Sequence, residues 1–224
     1  LWLVLFWCTV ALISYTYVGY PVLLACVTRP RPAPPEPGEW PTVDVLIAAY
    51  NEARHIESKL RNTLALDYPP DRLNVTVVTD GSTDSTPQLV VALGDDRVRL
   101  LHQPERQGKS SALRRALPYL RGQVILFTDA NCLLPPEALR AMVRHLSDPH
   151  VGGVSGAKRV TGHGQEAGEG LYWRYERWLK HLDDRFGSVM GAPGEIWLAR
   201  REAYVAPAAD IVLDDLYASM DMVA

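Results

Sequence analysis

Polar side chains follow three apolar runs of this sequence, each time at the point where the run ends. The stretch VILFTDANC at 124–132 ends in Asp129 and Asn131, and YNE at 50–52 and TDGSTDST at 79–86 follow earlier runs. Because Asp129 and Asn131 alternate along an extended backbone, both can offer an oxygen to one hard cation. Such a cation keeps several waters and takes phosphate oxygens from a substrate. For each stretch alone, the alternative is a turn or a helix cap.

The apolar runs alternate with helical patterns, which predicts the elements that must position these side chains. Strands are predicted at 43–48, 73–79, 98–102 and 123–128, and helices at 52–66, 84–93, 107–120 and 135–146. Repeated β-α-β units predict an α/β fold with a mostly parallel sheet flanked by helices. Ligands bind such sheets beyond the carboxyl ends of the strands. We therefore expect Asp80 and Asp129 to line one crevice, which favours a ligand site over isolated caps.

The pattern is weaker beyond residue 151. We predict a strand interrupted by glycines at 151–160, a flexible loop at 161–170 and a helix rich in aromatic residues at 170–184. Two roles are open for this helix. Either Tyr172 and the later apolar residues pack on the sheet, or Trp178 meets lipid headgroups or a sugar acceptor. Core packing with some interfacial contact is favoured.

Composition excludes some classes of partner. The chain has 224 residues, with 23 basic and 26 acidic side chains and a net charge of −3. A protein that binds nucleic-acid phosphates usually has a basic surplus, so we expect no nucleic-acid partner. Three cysteines give no disulfide framework, which favours a reducing compartment for the main domain. The six histidines show no spacing typical of a metal site.

The first 28 residues contain no Asp, Glu, Lys or Arg, which predicts a transmembrane helix at 1–28. A signal peptide is the weaker alternative, because no basic segment or cleavage site stands out. Arg29 and Arg31 predict that the following domain faces the cytoplasm, at the inner membrane of the cell. The proline-dense segment 29–41 is predicted to be a semi-rigid linker. The domain proper then spans 42–224, and we expect the sequence to be a C-terminally truncated piece of a longer protein.

Two further stretches offer charged groups for catalysis. RQGKSSAL at 106–113 is not a P-loop, because Gln103 occupies the position of the required glycine. Its Lys109 lies at a predicted helix start and could still face a diphosphate. VLDDL at 212–216 places Asp214 and Asp215 after an apolar pair. One of them could act as a general base, although spacing alone favours a helix N-cap.

Together these stretches resemble glycosyltransferase family 2, the inverting enzymes of the GT-A fold. The resemblance runs from about residue 42 to the end, and the matching stretches follow the order of the family's motifs. They are VDVLIAAYNEARHIESKLRNTLALDYP, VVTDGSTDST, ERQGKSSALRRAL, LFTDANCLL, GAPGEIWLARREAY and VLDDL. TYVGYP in the apolar N-terminal helix also resembles membrane-bound members.

The resemblance implies a role for each matching residue. Around the donor, Ala49, Tyr50 and Glu52 would border the base and ribose, and Asp80 would contact the base. Lys109 would lie near the nucleotide. Asp129 and Asn131 would hold Mg²⁺ or Mn²⁺ on the diphosphate. On the other side, Asp215 would be the general base, with Asp214 where the family often has Glu, while Gly191, Ala192 and Gly194 would shape the acceptor side. Asn131 departs from the family pattern, because it replaces a second Asp.

The expected function is transfer of a sugar from a nucleotide-diphosphate donor to a glycan or lipid-linked acceptor at the membrane. The enzyme is expected to be of the hexosyltransferase type. A UDP-sugar is the expected donor, a divalent metal the expected cofactor, and membrane lipid a further partner. Two alternatives come from other classes. One is a metal-dependent nucleotidyltransferase, and the other is a non-catalytic nucleotide-sugar-binding module, which Asn131 makes worth testing.

Overall fold

The computed structural model describes residues 1–30, 32–156, 167–188, 191, 195–208 and 214–222. The chain divides into two compact units. The first unit comprises Leu1–Ala33 and Arg159–Met190, and the second comprises Pro34–Lys158 and Gly191–Ala224. Each unit is described by itself.

The second unit is built on a six-stranded sheet with the order β3-β2-β1-β4-β6-β5. The strands are β1 (Val43–Ala49), β2 (Leu73–Asp80), β3 (Val98–Gln103), β4 (Val124–Asp129), β5 (Gly153–Ser155) and β6 (Ile196–Arg200). Strands β1 to β4 are parallel to one another, whereas β6 is antiparallel to both β4 and β5. Because Ala49 pairs with Thr79 and Ala48 with Asp129, the carboxyl ends of β1, β2 and β4 meet at one edge.

Helices cover both faces of this sheet, as predicted. They are α3 (Ile56–Leu64), α4 (Thr86–Ala92), α5 (Lys109–Ala116), α6 (Ala138–His145) and α8 (Asp214–Asp221). Side chains alternate across each strand, so Val45 and Ile47 join the core under α3, α4 and α6, while Leu46 joins the core with α5 and α8. Parallel strands covered on both faces explain why their sequences are continuous apolar runs.

Helices α3, α4, α5 and α6 all start two to four residues later than predicted, and at α3 and α5 the preceding residues bind the neighbouring loops. At α3, the backbone N–H groups of Glu52 and Ala53 bind the Thr86 hydroxyl and the Asp84 carboxylate. At α5, the N–H groups of Gln107 and Gly108 both bind the carboxylate of Asp80. Side chains after β2 therefore determine where both helices begin.

The pattern beyond residue 151 was predicted only in part. The glycine-interrupted strand is present as β5, and residues 157–160 lie outside the described part of the chain. The prediction of a loop through 161–170 is wrong for its end, because helix α7 spans Ala167–Phe186. Residues 161–166 lie outside the described part. Strand β6 was not predicted at all.

The first unit contains an apolar helix that runs from Trp2 to Val27 as α1 (Trp2–Ser14), a π-helical turn (Tyr15–Gly19) and α2 (Tyr20–Val27). It has 26 residues and a mean hydropathy of 1.7, so its length and composition would allow it to cross a membrane. A signal sequence near an N-terminus meets the same criteria.

Pro21 does not break this helix, and the irregular turn lies just before it. Proline has no N–H and its ring displaces the carbonyl four residues earlier, which is that of Tyr17. That carbonyl accepts a hydrogen bond from the Tyr175 hydroxyl of α7 at 2.9 Å. The Tyr20 hydroxyl donates to Asp183 of the same helix at 2.7 Å. Two tyrosine hydroxyls thus join α7 to the apolar helix.

The aromatic stripe of α7 packs less than predicted. Leu182 is buried, but Tyr172, Trp178 and Phe186 are exposed, Phe186 to 69%. Contact of these exposed side chains with lipid headgroups or a sugar acceptor stays a prediction.

Candidate active site

A cleft of about 140 Å³ lies at the edge where β1, β2 and β4 end. The residues predicted for the donor site that line it are Ala49, Tyr50, Asp80, Lys109 and Asp129. A larger depression of about 360 Å³ lies along α1, but only apolar side chains and Cys8 line it. It offers nothing that could orient a polar ligand, so the cleft is the candidate site.

Asp80 shapes the cleft, and one of its carboxylate oxygens is buried without a hydrogen-bond partner among the described residues. It is only 6% exposed. Its Oδ2 accepts hydrogen bonds from the N–H groups of Gln107 at 2.9 Å and Gly108 at 2.7 Å. Its Oδ1 lies 3.7 Å from Nη1 of Arg115 but accepts no hydrogen bond from any described residue. A buried carboxylate oxygen without such a partner can accept a hydrogen bond from a ligand.

The loop before α5 forms one wall of the cleft. Gly81 has φ of +71°, and a Cβ there would lie 2.6 Å from Cβ of Arg106. Glycine is therefore required for the loop to approach the end of β2 so closely. The Arg106 guanidinium lies over the ring of Tyr50, 4.0 Å from its centroid. This cation–π pair, rather than a free arginine, borders the cleft.

Lys109 brings a positive charge to the carboxyl end of β4. Its Nζ lies 3.5 Å from Oδ1 of Asp129, and the two side chains are 41% and 34% exposed. An ion pair this accessible contributes little to stability. The pair matters for its position, because the Lys109 ammonium group of α5 and the Asp129 carboxylate of β4 meet in the cleft.

The donor atoms after β4 fit a hard divalent cation. Asp129 supplies a carboxylate, and Asn131, exposed in the following turn, supplies an amide oxygen. Within the described ranges, no group of three or more His, Cys, Asp or Glu side chains could hold a metal ion. One carboxylate and one amide oxygen suit Mg²⁺ or Mn²⁺, which take their remaining ligands from water and phosphate.

Glu52 is not among the residues that line this cleft. Its carboxylate lies 2.8 Å from Nδ1 of His55 at the start of α3. Glu52 does not line the cleft with Tyr50, so its predicted contact with base or ribose stays a prediction.

The predicted base and acceptor residues are described only in part. Asp214 and Asp215 form the first turn of α8, with side chains outside the described part of the structure. Ala192 and Gly194 also lie outside it. Gly191 has φ of +82°, and a Cβ there would lie 3.0 Å from Leu216 of α8. Gly191 and α8 are therefore in close contact.

Sequence analysis missed three polar residues near the cleft: Lys59, Arg115 and Thr128. Lys59 and Thr128 are almost fully buried. The sequence does contain an indication that Lys59 is buried, because it lies with Ile56, Leu60 and Thr63 on the apolar face of α3.

Comparison with known proteins shows the family. The family model for glycosyl transferase family 2 matches residues 44–205. The chain belongs to this family, as the motifs predicted.

Two curated relatives illustrate the range of the family. An N-acetylglucosaminyltransferase from Mesorhizobium japonicum is 30% identical over 221 residues, covering 89% of this chain and 49% of that protein. A beta-monoglucosyldiacylglycerol synthase from Nostoc sp. is 28% identical over 196 residues, covering 84% of this chain and 42% of that protein. The chain spans somewhat less than half the length of these relatives.

Among solved structures, a mannosyltransferase from Pyrobaculum calidifontis in complex with GDP-Man and Mn²⁺ superposes with a TM-score of 0.79. It is 29% identical, and the match covers 95% of this chain and 62% of that one. The predicted GT-A architecture, a mixed α/β sheet with flanking helices, is confirmed.

Proposed function

We propose that this chain is the donor-binding and catalytic part of an inverting glycosyltransferase that uses a nucleotide-diphosphate sugar. The observation that carries the proposal is the convergence of Asp80, Lys109 and Asp129, from three separate elements, on one cleft at the carboxyl edge of the sheet. Membership of glycosyl transferase family 2 supports the same reaction class.

The base of the donor would bind between Asp80 and the Tyr50–Arg106 pair. Since Oδ2 of Asp80 already accepts two backbone hydrogen bonds, the buried Oδ1, which has no hydrogen-bond partner among the described residues, is the oxygen proposed to bind the base. One acceptor matches the single N3–H of uracil better than the paired N–H donors of guanine, which suit both oxygens of a carboxylate. We therefore infer a UDP-sugar as the donor.

The diphosphate would lie between Lys109 and Asp129. Lys109, in the first turn of α5, provides a permanent positive charge, and the helix N-terminus favours an anion there. Asp129 and Asn131 are the residues that would hold a divalent metal. When bound, the metal acts as a Lewis acid that neutralises the charge developing on the leaving diphosphate.

Asp215 is the proposed general base. It takes the proton from an acceptor hydroxyl as that oxygen attacks the anomeric carbon and the bond to the diphosphate breaks. A one-step attack from the face opposite the leaving group inverts the anomeric centre. Asp214 and Asp215 belong to the first turn of α8, where the positive end of the helix dipole favours negative charge.

The acceptor is proposed to be a glycan or a lipid-linked sugar at the cytoplasmic face of the inner membrane. The apolar helix Trp2–Val27, the exposed aromatic side chains of α7 and the lipid product in the name of the Nostoc relative support this setting. We propose that residues 1–28 form the membrane helix, residues 29–41 the linker and residues 42–224 the glycosyltransferase domain. Within the linker, Glu39 pairs with Arg72 at 2.6 Å and Glu36 pairs with Arg144, so its end is fixed to the domain.

Replacement of Asp215 tests the proposed reaction. In the full-length protein, Asp215→Asn should lower transfer at least about 100-fold while UDP affinity is kept, because a general base acts only on the acceptor. Asp96→Asn, an exposed acid beside β3, is the matched control. Near-normal transfer by Asp215→Asn would refute the assignment. UDP binding without transfer in the wild type would instead favour the non-catalytic module, to which Asn131 points.

A further inference from the structure

Lys59 is a buried cation that the proposed reaction does not use. Its side chain is 0% exposed, in the core between α3 and the sheet. Lysine is almost never fully buried without partners, because removing an ammonium group from water is costly. The groups that Lys59 binds must therefore compensate for the cost of burying its ammonium group.

The partners of Lys59 lie on either side of the proposed metal ligands in the chain. Its Nζ donates to Oγ1 of Thr128 at 2.9 Å and to the carbonyl of Cys132 at 2.6 Å. Thr128 immediately precedes Asp129, and Cys132 immediately follows Asn131. One ammonium group thus holds both ends of the turn that carries Asp129 and Asn131.

The same contact reaches the segment before β6. Oγ1 of Thr128, which accepts from Lys59, donates in turn to the carbonyl of Glu195 at 3.0 Å. Glu195 directly follows Gly194, a residue predicted for the acceptor side. A continuous chain of hydrogen bonds therefore runs from α3 through the donor turn to that segment.

A second residue of α3 fixes the chain just beyond the turn. The Asn62 side chain donates to the carbonyl of Leu134 at 2.9 Å and accepts from its N–H at 2.8 Å. Lys59 and Asn62 lie one turn apart on the helix. The helix thus holds the chain at three residues, through the side chain of Thr128 in β4 and the backbone of Cys132 and Leu134 beyond it.

We propose that Lys59 is a positioning residue of the donor site, holding the turn from Asp129 to Asn131 in its metal-binding conformation through Thr128 and Cys132. The inference rests on the proposed donor site. A pair with one charged and one neutral ligand depends strongly on pre-arranged geometry, and groups that orient metal ligands typically change affinity by about 10–100-fold when replaced. Burial lowers the pKa of Lys59 to about 8, against the opposing attraction of Cys132 and Asp129, so the ammonium form still predominates at neutral pH.

Matched variants separate positioning from stability. Lys59→Met keeps the length of the side chain and removes the donor, while Thr128→Val removes the hydroxyl at constant shape. Thr128→Ser restores the hydroxyl. Arg61→Met removes a cation from the same helix whose partner is the exposed Glu57, away from the turn. Lys59→Met removes a charge that is costly to bury but leaves the Cys132 carbonyl without its donor, so the folded fraction of each variant is measured first and binding is compared per folded molecule.

Two measurements on the full-length protein are needed. Binding of Mn²⁺ is measured by the electron paramagnetic resonance of free Mn²⁺ in the presence of UDP. Backbone hydrogen exchange of residues 129–134 is measured by mass spectrometry without metal. Lys59→Met and Thr128→Val should weaken Mn²⁺ binding about tenfold and speed this exchange. Thr128→Ser and Arg61→Met should do neither.

Unchanged Mn²⁺ affinity in Lys59→Met, or a loss that merely follows a reduced folded fraction, would overturn the positioning role. Failure of the proposed function would look different, since the wild type itself would then bind neither Mn²⁺ nor UDP. In that case the exchange rates alone would decide whether Lys59 anchors the turn. Unchanged exchange would reject the anchor as well.

Discussion

The Nζ of Lys109 lies 3.5 Å from Oδ1 of Asp129, although the two residues come from different elements, α5 and β4. This pair brings a permanent positive charge to the carboxylate that we propose as a metal ligand. A diphosphate in the cleft would therefore meet positive charge from Lys109 whether or not a metal is present.

Removal of that charge should weaken donor binding. Lys109→Met is expected to raise the Kd for UDP about tenfold, because a hydrogen bond to a charged group contributes about 1.5–3 kcal/mol. Part of the effect should persist without metal, since Lys109 acts independently of it. Calorimetric titration measures both conditions, and Lys180→Met on α7 is the control. Equal affinity of Lys109→Met and wild type would show that Lys109 does not face the donor.

Gly81 should tolerate no side chain. In Gly81→Ala the new Cβ meets Arg106, while the positive φ adds strain of its own. Gly94→Ala is a closely matched control, because Gly94 has a similar φ of +66° with nothing within 4 Å of a Cβ. We expect thermal unfolding to show a cost about 1–3 kcal/mol larger at Gly81 than at Gly94. UDP binding should fall only for Gly81→Ala. Equal costs at both positions would mean that the Arg106 loop is free to move away.

Helix α8 should report on catalysis separately from donor binding. Ala218 is 2% exposed and belongs to the core cluster that contains the stacked rings of Phe127 and Trp197, 4.2 Å apart. Ala218→Leu overpacks this cluster at a cost of about 1–3 kcal/mol and should displace α8. Transfer should fall while UDP affinity is unchanged, because α8 carries Asp215 but not the donor site. Ala92→Leu, on the exposed side of α4, is the control. A parallel loss of UDP affinity in Ala218→Leu would contradict this separation.

Lys59 should make stability depend on alkaline pH. Burial lowers its pKa from 10.5 to about 8, so between these values the unfolded chain binds a proton that the folded chain has lost. Stability contributed by this group therefore rises with pH in that window. Relative to Lys59→Met, the wild type should gain up to ~3 kcal/mol between pH 8 and pH 10.5. Thermal unfolding of both proteins across this range measures the difference. A constant difference would mean that Lys59 does not titrate there.

The sequence predicted the sheet and its polar edge well, because local patterns carry both. Continuous apolar runs end at Asp80 and Asp129, and parallel β-α-β units bring such ends together. Strand β6 could not be predicted in the same way, since it is defined by antiparallel pairing with distant β4 and β5. Lys59 was missed because a lysine in an amphipathic helix is usually solvated, and only its long-range partners Thr128 and Cys132 explain its burial.

The most direct test of the proposed donor site is calorimetric titration of the full-length protein with UDP and with GDP, each with and without Mn²⁺. We expect UDP to bind more tightly than GDP and Mn²⁺ to strengthen UDP binding. Asp129→Ala should remove the effect of Mn²⁺, whereas Asp96→Ala should leave it intact. Absence of UDP binding by folded protein with Mn²⁺ present, or an effect of Mn²⁺ that survives Asp129→Ala, would contradict the proposed donor site.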